Sequence, residues 1–360
     1  MTAAQPPQRP AEPAPSRGRH LQGWLQRSWR KRGPGALALL PVALLYGAVV
    51  AVRRRLYRSG LLASEHPGRP VIVVGNVIAG GAGKTPVVIA LARHLQSRGL
   101  RPGVISRGYG RQSRACMAVL ADSTAQEVGD EPALIARSCP GLPVFVALQR
   151  IEAARALLSA HPDTDVILCD DGLQHLALQR DLEICVFNAD GTGNGFLLPA
   201  GPLREPWPRP VGFVLHAAAL PPAGTSSPAF GTRRSLAPWA VRSDGQHIAI
   251  RELRGRPVHA VAAVAQPEVF FEMLRAAGLT LAQAEGLPDH YDFDSWEALF
   301  GERYSIICTE KDAVKLWRRH PHVLAVPLVL DIDDGFFKAL DIAVDQCLAS
   351  ATGQLGTPRG

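Results

Sequence analysis

Several features that would simplify a functional assignment are missing. Six cysteines (Cys116, Cys139, Cys169, Cys185, Cys308, Cys347) never form a C-x-x-C pair. That spacing argues against a zinc site or a disulfide scaffold and fits a reducing compartment. No internal repeat is present, and 34 Gly with 30 Pro in 360 residues stay below the roughly 25–30% that marks low-complexity chains. Wholesale disorder is excluded by 47% hydrophobic and 20% charged residues, enough to bury a sizeable core. Acids are nearly absent from one end: residues 1–60 hold 11 Lys/Arg and only Glu12, while the other 300 hold 28 Lys/Arg and 31 acids. The formal +7 is therefore terminal basicity and does not describe a basic nucleic-acid-binding fold.

Charge is also lacking from Gly33 to Val52, a run closed by Arg53, Arg54 and Arg55 and preceded by Arg27, Arg30, Lys31 and Arg32. Twenty helical residues at about 1.5 Å each reach about 30 Å, the thickness of a bilayer core. The arginines after the run speak against a signal peptide. A buried core helix remains an alternative to a membrane helix, and Pro41 with many Ala and Gly favours one that lies in the interface or only marginally spans. Residues 1–23, rich in Pro, are expected to be a disordered tail, and 24–58 a basic-flanked membrane-associated helix.

What is present is a nucleotide signature. The β-branched run Val71-Ile72-Val73-Val74 leads into Gly75-Asn76-Val77-Ile78-Ala79-Gly80-Gly81-Ala82-Gly83-Lys84-Thr85-Pro86, and Val88, Leu91, Ala92 and Leu95 follow at helical spacing. Strand, glycine loop and helix in this order make a P-loop, whose backbone N–H groups and helix N-terminus receive phosphate oxygens. Gly80, Gly81, Ala82 and Gly83 would line the cradle, Lys84 would reach the β/γ-phosphates, and Thr85 would bind Mg²⁺. Ile78 stands where the usual pattern has Gly, so the match is to the G-G-x-G-K-T variant, with Ala79 where some ATPases of that variant have Lys. A second apolar run, Asp165 to Cys169, ends in Asp170-Asp171, where Mg²⁺-linked carboxylates sit beside a P-loop.

Other segments read two ways. Arg107 and Arg111 follow the strand 101–106 and either contact substrate phosphate or form a solvated loop. Asp130, in Gly129-Asp130-Glu131-Pro132, either caps a helix or acts as a general base. His290, among aromatics, is either structural or catalytic. The Ala/Pro/Gly/Ser stretch 217–230 reads as a linker. The expected fold is α/β: a P-loop, RecA-like, mostly parallel sheet with helices on both faces (68–216), a smaller C-terminal α/β domain (231–348) and a tail (349–360).

In this order the motifs VVGNVIAGGAGKTP (73–86), ISRGYGR (105–111), VGDEP (128–132), CDDGLQHLALQRD (169–181), LLPAGPLREP (197–206), DHYDF (289–293) and CTEKDAVK (308–315) resemble the tetraacyldisaccharide 4′-kinase family. That resemblance implies ATP- and Mg²⁺-dependent phosphorylation of the 4′-hydroxyl of a tetraacylated glucosamine disaccharide 1-phosphate at the cytoplasmic face of the bacterial inner membrane. It implies Asp130 as base assisted by His290, Asp170 and Asp171 serving Mg²⁺ and the active site, and Lys84 in catalysis. It also implies Arg107, Tyr109, Arg150, His175 and Arg204 on the substrate and Glu205 on the nucleotide. The partners implied are the lipid substrate and a membrane surface, with no nucleic acid and no obligate protein. One departure is His290-Tyr291 where many members have two adjacent histidines. A membrane-attached P-loop ATPase acting as a switch, or a kinase for another amphipathic sugar, would share the nucleotide motifs.

Overall fold

The β-branched runs form strands. In the computed structural model, which describes Ser28, Trp29 and residues 31–289, 291–297 and 304–355, the first eight are β1 (Val71–Gly75), β2 (Pro102–Ser106), β3 (Met117–Ala118), β4 (Val144–Val146), β5 (Val166–Asp170), β6 (Leu182–Phe187), β7 (Phe213–His216) and β8 (Ala229–Leu236). Then come β9 (Trp239–Val241), β10 (His247–Ala249), β11 (Pro257–Ala262), β12 (Thr280–Gly286), β13 (Ser305–Thr309), β14 (Leu324–Val326) and β15 (Leu328–Ile332). The larger sheet has the order β15-β8-β7-β6-β1-β5-β2-β4-β3. It is parallel except at its edges, where β3 and β15 run antiparallel to their neighbours.

Both faces of this sheet are covered, which is why its strands read as continuous apolar runs. Ile72 and Val74 pack with Val88 and Leu91 of the helix Lys84–Ser97, while Val71 and Val73 pack with Ile151, Ala154 and Leu157 of the helix Arg150–Ala160. Each such side chain contributes about 1.5–3 kcal/mol, so the centre of this sheet is a rigid platform for the loops at its carboxyl edge.

The second sheet, β10-β9-β14-β13-β11-β12, carries the helix Pro267–Ala276 on one face through Phe270, Phe271 and Leu274. The helix Glu310–Leu316 packs on the other with Phe293 and Trp296. Its boundaries differ from the expected ones. Residues 229–236 belong to the larger sheet as β8, so the linker reading of 217–230 and the domain start at 231 both shift: the second sheet spans only Trp239 to Val326. The chain then returns through β15, which pairs antiparallel with β8. The helix Asp334–Leu355 follows and buries Phe336, Leu340 and Val344 against the larger domain. His94 meets Asp341 at 2.7 Å and Arg98 meets Asp345 at 2.7 Å. Residues 349–355 thus extend a helix where a tail was expected.

The N-terminal apolar run is two helices, Pro34–Ala38 and Leu40–Arg58, the break falling at Leu39, close to Pro41, which has no N–H to continue the hydrogen-bond ladder of the first helix. One side faces the protein: Ala36 and Ala43 are buried, and a Cβ at Gly47 would sit 2.7 Å from Leu197 Cδ1. The opposite side leaves Leu37, Leu44, Leu45, Val49 and Val52 exposed. No helix among the described residues is long and apolar enough to cross a membrane. Trp29 and Arg32 bond to Pro199 and Asn194 carbonyls. The expected tail 1–23 and the helix start at 24 lie outside the described residues.

Candidate active site

The P-loop leaves the carboxyl end of β1, between β5 and β6, where ligands of open α/β sheets bind. Gly83 adopts φ +81° and Gly80 φ +104°, conformations natural only to glycine, which let the loop curl ahead of Lys84. Ile78, the departure from the usual pattern, has a structural cause. It is buried, bridges Leu203 antiparallel, and the neighbouring Ala79 N–H donates to Pro202 O at 2.7 Å. The 197–206 loop is thereby stitched to the P-loop, and Arg204 N–H donates to Val77 O at 2.7 Å.

Lys84 Nζ lies 3.6 Å from Asp171 Oδ1, and Arg204 Nη1 approaches the same carboxylate at 3.5 Å. Arg150 Nη2 donates to Asp171 O at 3.1 Å. Asp170 is almost fully buried at the end of β5; Ser106 Oγ donates to its Oδ2 at 3.4 Å, while its Oδ1 is buried without a hydrogen-bond partner. Burial first, then Glu131 and Asp171, push Asp170 up to about 7. An orphaned carboxylate oxygen with the Thr85 hydroxyl beside the P-loop suits Mg²⁺, which takes oxygen donors and keeps only one or two from protein when phosphates supply the rest. Accordingly, the described residues contain no cluster of three or more His, Cys, Asp or Glu able to hold a metal alone.

Beyond the nucleotide loop lies a cationic crescent. Arg150 N–H donates to His175 Nε2 at 3.4 Å, and Arg53, from the N-terminal helix, donates to Gln174 O at 3.0 Å. Burial, then Arg150, Arg180, Arg53 and Arg107, push His175 down to about 4, so its ring is neutral at pH 7. Arg107 and Tyr109 lie at the exposed rim. Their loop is seated on the Asp130 turn through Gly129 (φ +96°), where a Cβ would lie 2.9 Å from Tyr109 O.

Asp130 opens the helix Asp130–Ser138 and is buried. Its Oδ2 pairs with Lys315 Nζ at 3.0 Å, and the same ammonium donates to Tyr291 O at 2.9 Å. One turn earlier, Lys311 Nζ meets Asp289 Oδ1 at 3.2 Å. Burial works to lower the Lys311 pKa, but Asp289, Glu131 and Asp130 outweigh it and hold it above its ordinary value. Lys315, from a helix of the second sheet, therefore ties Tyr291 O to Asp130; His290 lies outside the described residues.

Glu205, expected on the nucleotide, is held by Gln174 (2.7 Å), Arg54 (3.2 Å) and Arg209 (3.2 Å). The Gln174 amide also donates to Asn76 O and so ties Glu205 to the nucleotide loop. Sequence reasoning passed over Lys311, Lys315 and Glu131 as site residues. The available signal was two lysines one helical turn apart in TEKDAVK and a second acid beside Asp130.

Known proteins match this arrangement. A family model described as tetraacyldisaccharide-1-P 4′-kinase matches residues 35–345. A tetraacyldisaccharide 4′-kinase of Verminephrobacter eiseniae (strain EF01-2) is 70% identical over 316 residues, 87% of this chain and 73% of that protein. One from Acidovorax sp. (strain JS42) is 60% identical over 328 residues, 91% and 96% of the two chains. Among solved structures, the "apo" form of LpxK from Aquifex aeolicus in complex with ATP superposes with a TM-score of 0.75 at 29% identity, covering 86% of this chain and 99% of that one. With a family match over nearly the whole described chain and relatives this similar, the chain belongs to the tetraacyldisaccharide 4′-kinase family.

Proposed function

We propose that this chain moves the γ-phosphate of ATP to the 4′-hydroxyl of a tetraacylated glucosamine disaccharide 1-phosphate, with Asp130 as the base, at the cytoplasmic face of a bacterial inner membrane. The observation that carries the reading is the buried Asp130–Lys315 pair facing a P-loop with its own Lys84–Asp171 pair. Asp130, assisted by His290, takes the hydroxyl proton as that oxygen bonds to the γ-phosphorus. The bond from phosphorus to the β–γ bridging oxygen breaks, and ADP leaves with that electron pair. Lys84 and the loop amides hold the phosphates in line. Asp170 and Thr85 would hold Mg²⁺, which would supply neutralisation of phosphate charge.

The crescent of Arg107, Arg150 and Arg53 around neutral His175, with Arg204 and Tyr109 nearby, suits the anionic 1-phosphate and sugar of the acceptor. The exposed apolar side of the Leu40–Arg58 helix, with Arg53, Arg55 and Arg58 exposed beside it, suits an anionic membrane surface. An acceptor carrying acyl chains stays in the bilayer, so the enzyme must bring its cleft there.

The test is transfer of labelled γ-phosphate from ATP to a lipid A disaccharide 1-phosphate in detergent, with acceptor-free and Lys84→Ala controls. A labelled lipid requiring both acceptor and Lys84 is expected. ATP hydrolysis without labelled lipid would overturn the acceptor and favour a switch ATPase.

A further inference from the structure

Among the described residues, Arg234 has no counter-charge, and it lies against the nucleotide loop. Residues 229–231 of β8 pair with β7, but 232–236 pair only with β15, so this ribbon overhangs the carboxyl edge of the larger sheet. From that overhang Arg234 Nη2 donates to Ala82 O at 2.8 Å. A Cβ on Gly83 would lie 1.5 Å from the same nitrogen, so the guanidinium lies directly against the peptide preceding Lys84. Its Nε is buried with no hydrogen-bond partner. Burial alone acts on its pKa, pushing it down, with no carboxylate to oppose that.

Three other arginines near the loop are balanced. Arg204 has Asp171, while Arg54 and Arg209 share Glu205. A partly buried guanidinium with no counter-charge among the described residues costs the fold that holds it. At this place the natural counter-charge is a polyphosphate.

We propose that Arg234 is a positioning residue for the nucleotide: it holds the Ala82–Gly83 peptide in its phosphate-binding shape and adds, beside Lys84, a second positive charge that the triphosphate neutralises. The inference goes beyond the residues assigned above and needs only ATP as donor, whatever the acceptor. It also gives Gly83 a second reason to be glycine, because any side chain there would displace the guanidinium. And it ties the nucleotide loop to the strand pair from which the second sheet grows.

The experiment compares full-length Arg234→Met and Arg234→Lys with the parent in detergent, measuring dissociation constants for MgATP and AMP and the melting temperature without nucleotide. The expected result for Arg234→Met is MgATP binding weakened about tenfold or more, with AMP, which lacks the β- and γ-phosphates, changed far less. Its nucleotide-free melting temperature should not fall below the parent's, since an unpaired buried charge has been removed. Arg234→Lys should retain most of the MgATP affinity. Unchanged MgATP binding in Arg234→Met would overturn the proposal, as would equal losses for MgATP and AMP. An Arg234→Met protein that fails to fold while Arg234→Lys folds would also overturn it, in favour of simple packing. A parent protein that binds MgATP but phosphorylates no lipid would count against the acceptor assignment and leave Arg234 standing.

Discussion

Asp130 Oδ2 stands 3.0 Å from Lys315 Nζ, and the pair joins the first turn of a helix on the larger sheet to a helix of the second. Both side chains are 8% exposed, so water does little to replace the ion pair if one member is lost. Lys315→Met should take the ion-pair partner from a buried carboxylate, a change that typically costs about 3–5 kcal/mol, and should lower both melting temperature and transfer rate. Adding Asp130→Asn removes the carboxylate charge, so the double variant should regain stability without regaining activity. Thermal melts alongside initial rates check this. A Lys315→Met protein with the parent's melting point and rate would sink the link.

Asp130→Asn alone separates base from scaffold. Removing a general base slows the chemical step by about 10²–10⁴-fold, and the ion-pair partner of Asp130 is Lys315, outside the nucleotide loop. We expect kcat to fall within that range while MgATP affinity changes less than about threefold, read by single-turnover transfer and by calorimetry. Equal losses in both would reassign Asp130 to a metal-binding or structural role.

His175 supplies a pH signature of the cationic crescent. Its folded value of about 4 lies below the unfolded value of about 6.5. As pH drops from 6.5 towards 4, the unfolded chain takes a proton that the folded chain refuses. The stability from this group is therefore present above about pH 6.5 and lost as pH falls through that window. His175→Gln should flatten the dependence of urea midpoints between pH 7 and 5. An unchanged slope would mean that the ring titrates normally and that the surrounding arginines do not act on it.

How much of this was legible depends on the range over which each feature is encoded. The run Val71–Val74 and the loop to Thr85 are local, and the observed β1, P-loop and helix from Lys84 follow from their β-branched and glycine content. Lys315 and Arg234 were not legible. A lysine on a helix face and an arginine on a strand acquire meaning only when a distant segment packs against them. The arginine partners of Glu205 were not legible for the same reason, since Arg54 lies on the protein-facing side of a helix read chiefly as membrane-directed. The Ala/Pro/Gly/Ser run at 217–230 marked a surface loop, and composition cannot report that β8 after it rejoins the first sheet through non-local pairing.

As the proposed Mg²⁺ ligand, Asp170 should make Mg²⁺ use pH-sensitive. Burial, Glu131 and Asp171 raise it to about 7, so near neutral pH a proton competes with the metal for the carboxylate. The Mg²⁺ concentration needed for half-maximal rate should rise as pH falls from 8 to 6. Glu131→Gln removes a like charge and should shift that profile to lower pH. Because the folded chain holds the proton between about 3.8 and 7 and the unfolded chain does not, this group contributes less stability as pH rises through that window. Asp170→Asn should thus be inactive yet melt no lower than the parent at pH 8 without nucleotide. A Mg²⁺ requirement independent of pH in this range would remove Asp170 from the metal site.

The N-terminal helix separates membrane attachment from folding by its two sides. Leu45 is 68% and Val49 59% exposed, whereas Ala43 is buried and Gly47 lies against Leu197. Replacing Leu45 and Val49 with Glu places two carboxylates on the outward side without touching the inward one. Co-sedimentation with vesicles containing anionic phospholipid should fall at least tenfold, since both apolar insertion and electrostatic attraction are lost. Melting temperature and MgATP affinity should stay within error, and transfer to acceptor in detergent micelles should fall less than transfer to acceptor in vesicles. If the doubly substituted protein still sediments with vesicles, another surface anchors the enzyme and the outward stripe of the helix is not the membrane face. If it loses ATP binding as well, the helix supports the Arg54–Glu205–Gln174 network more than it serves the lipid.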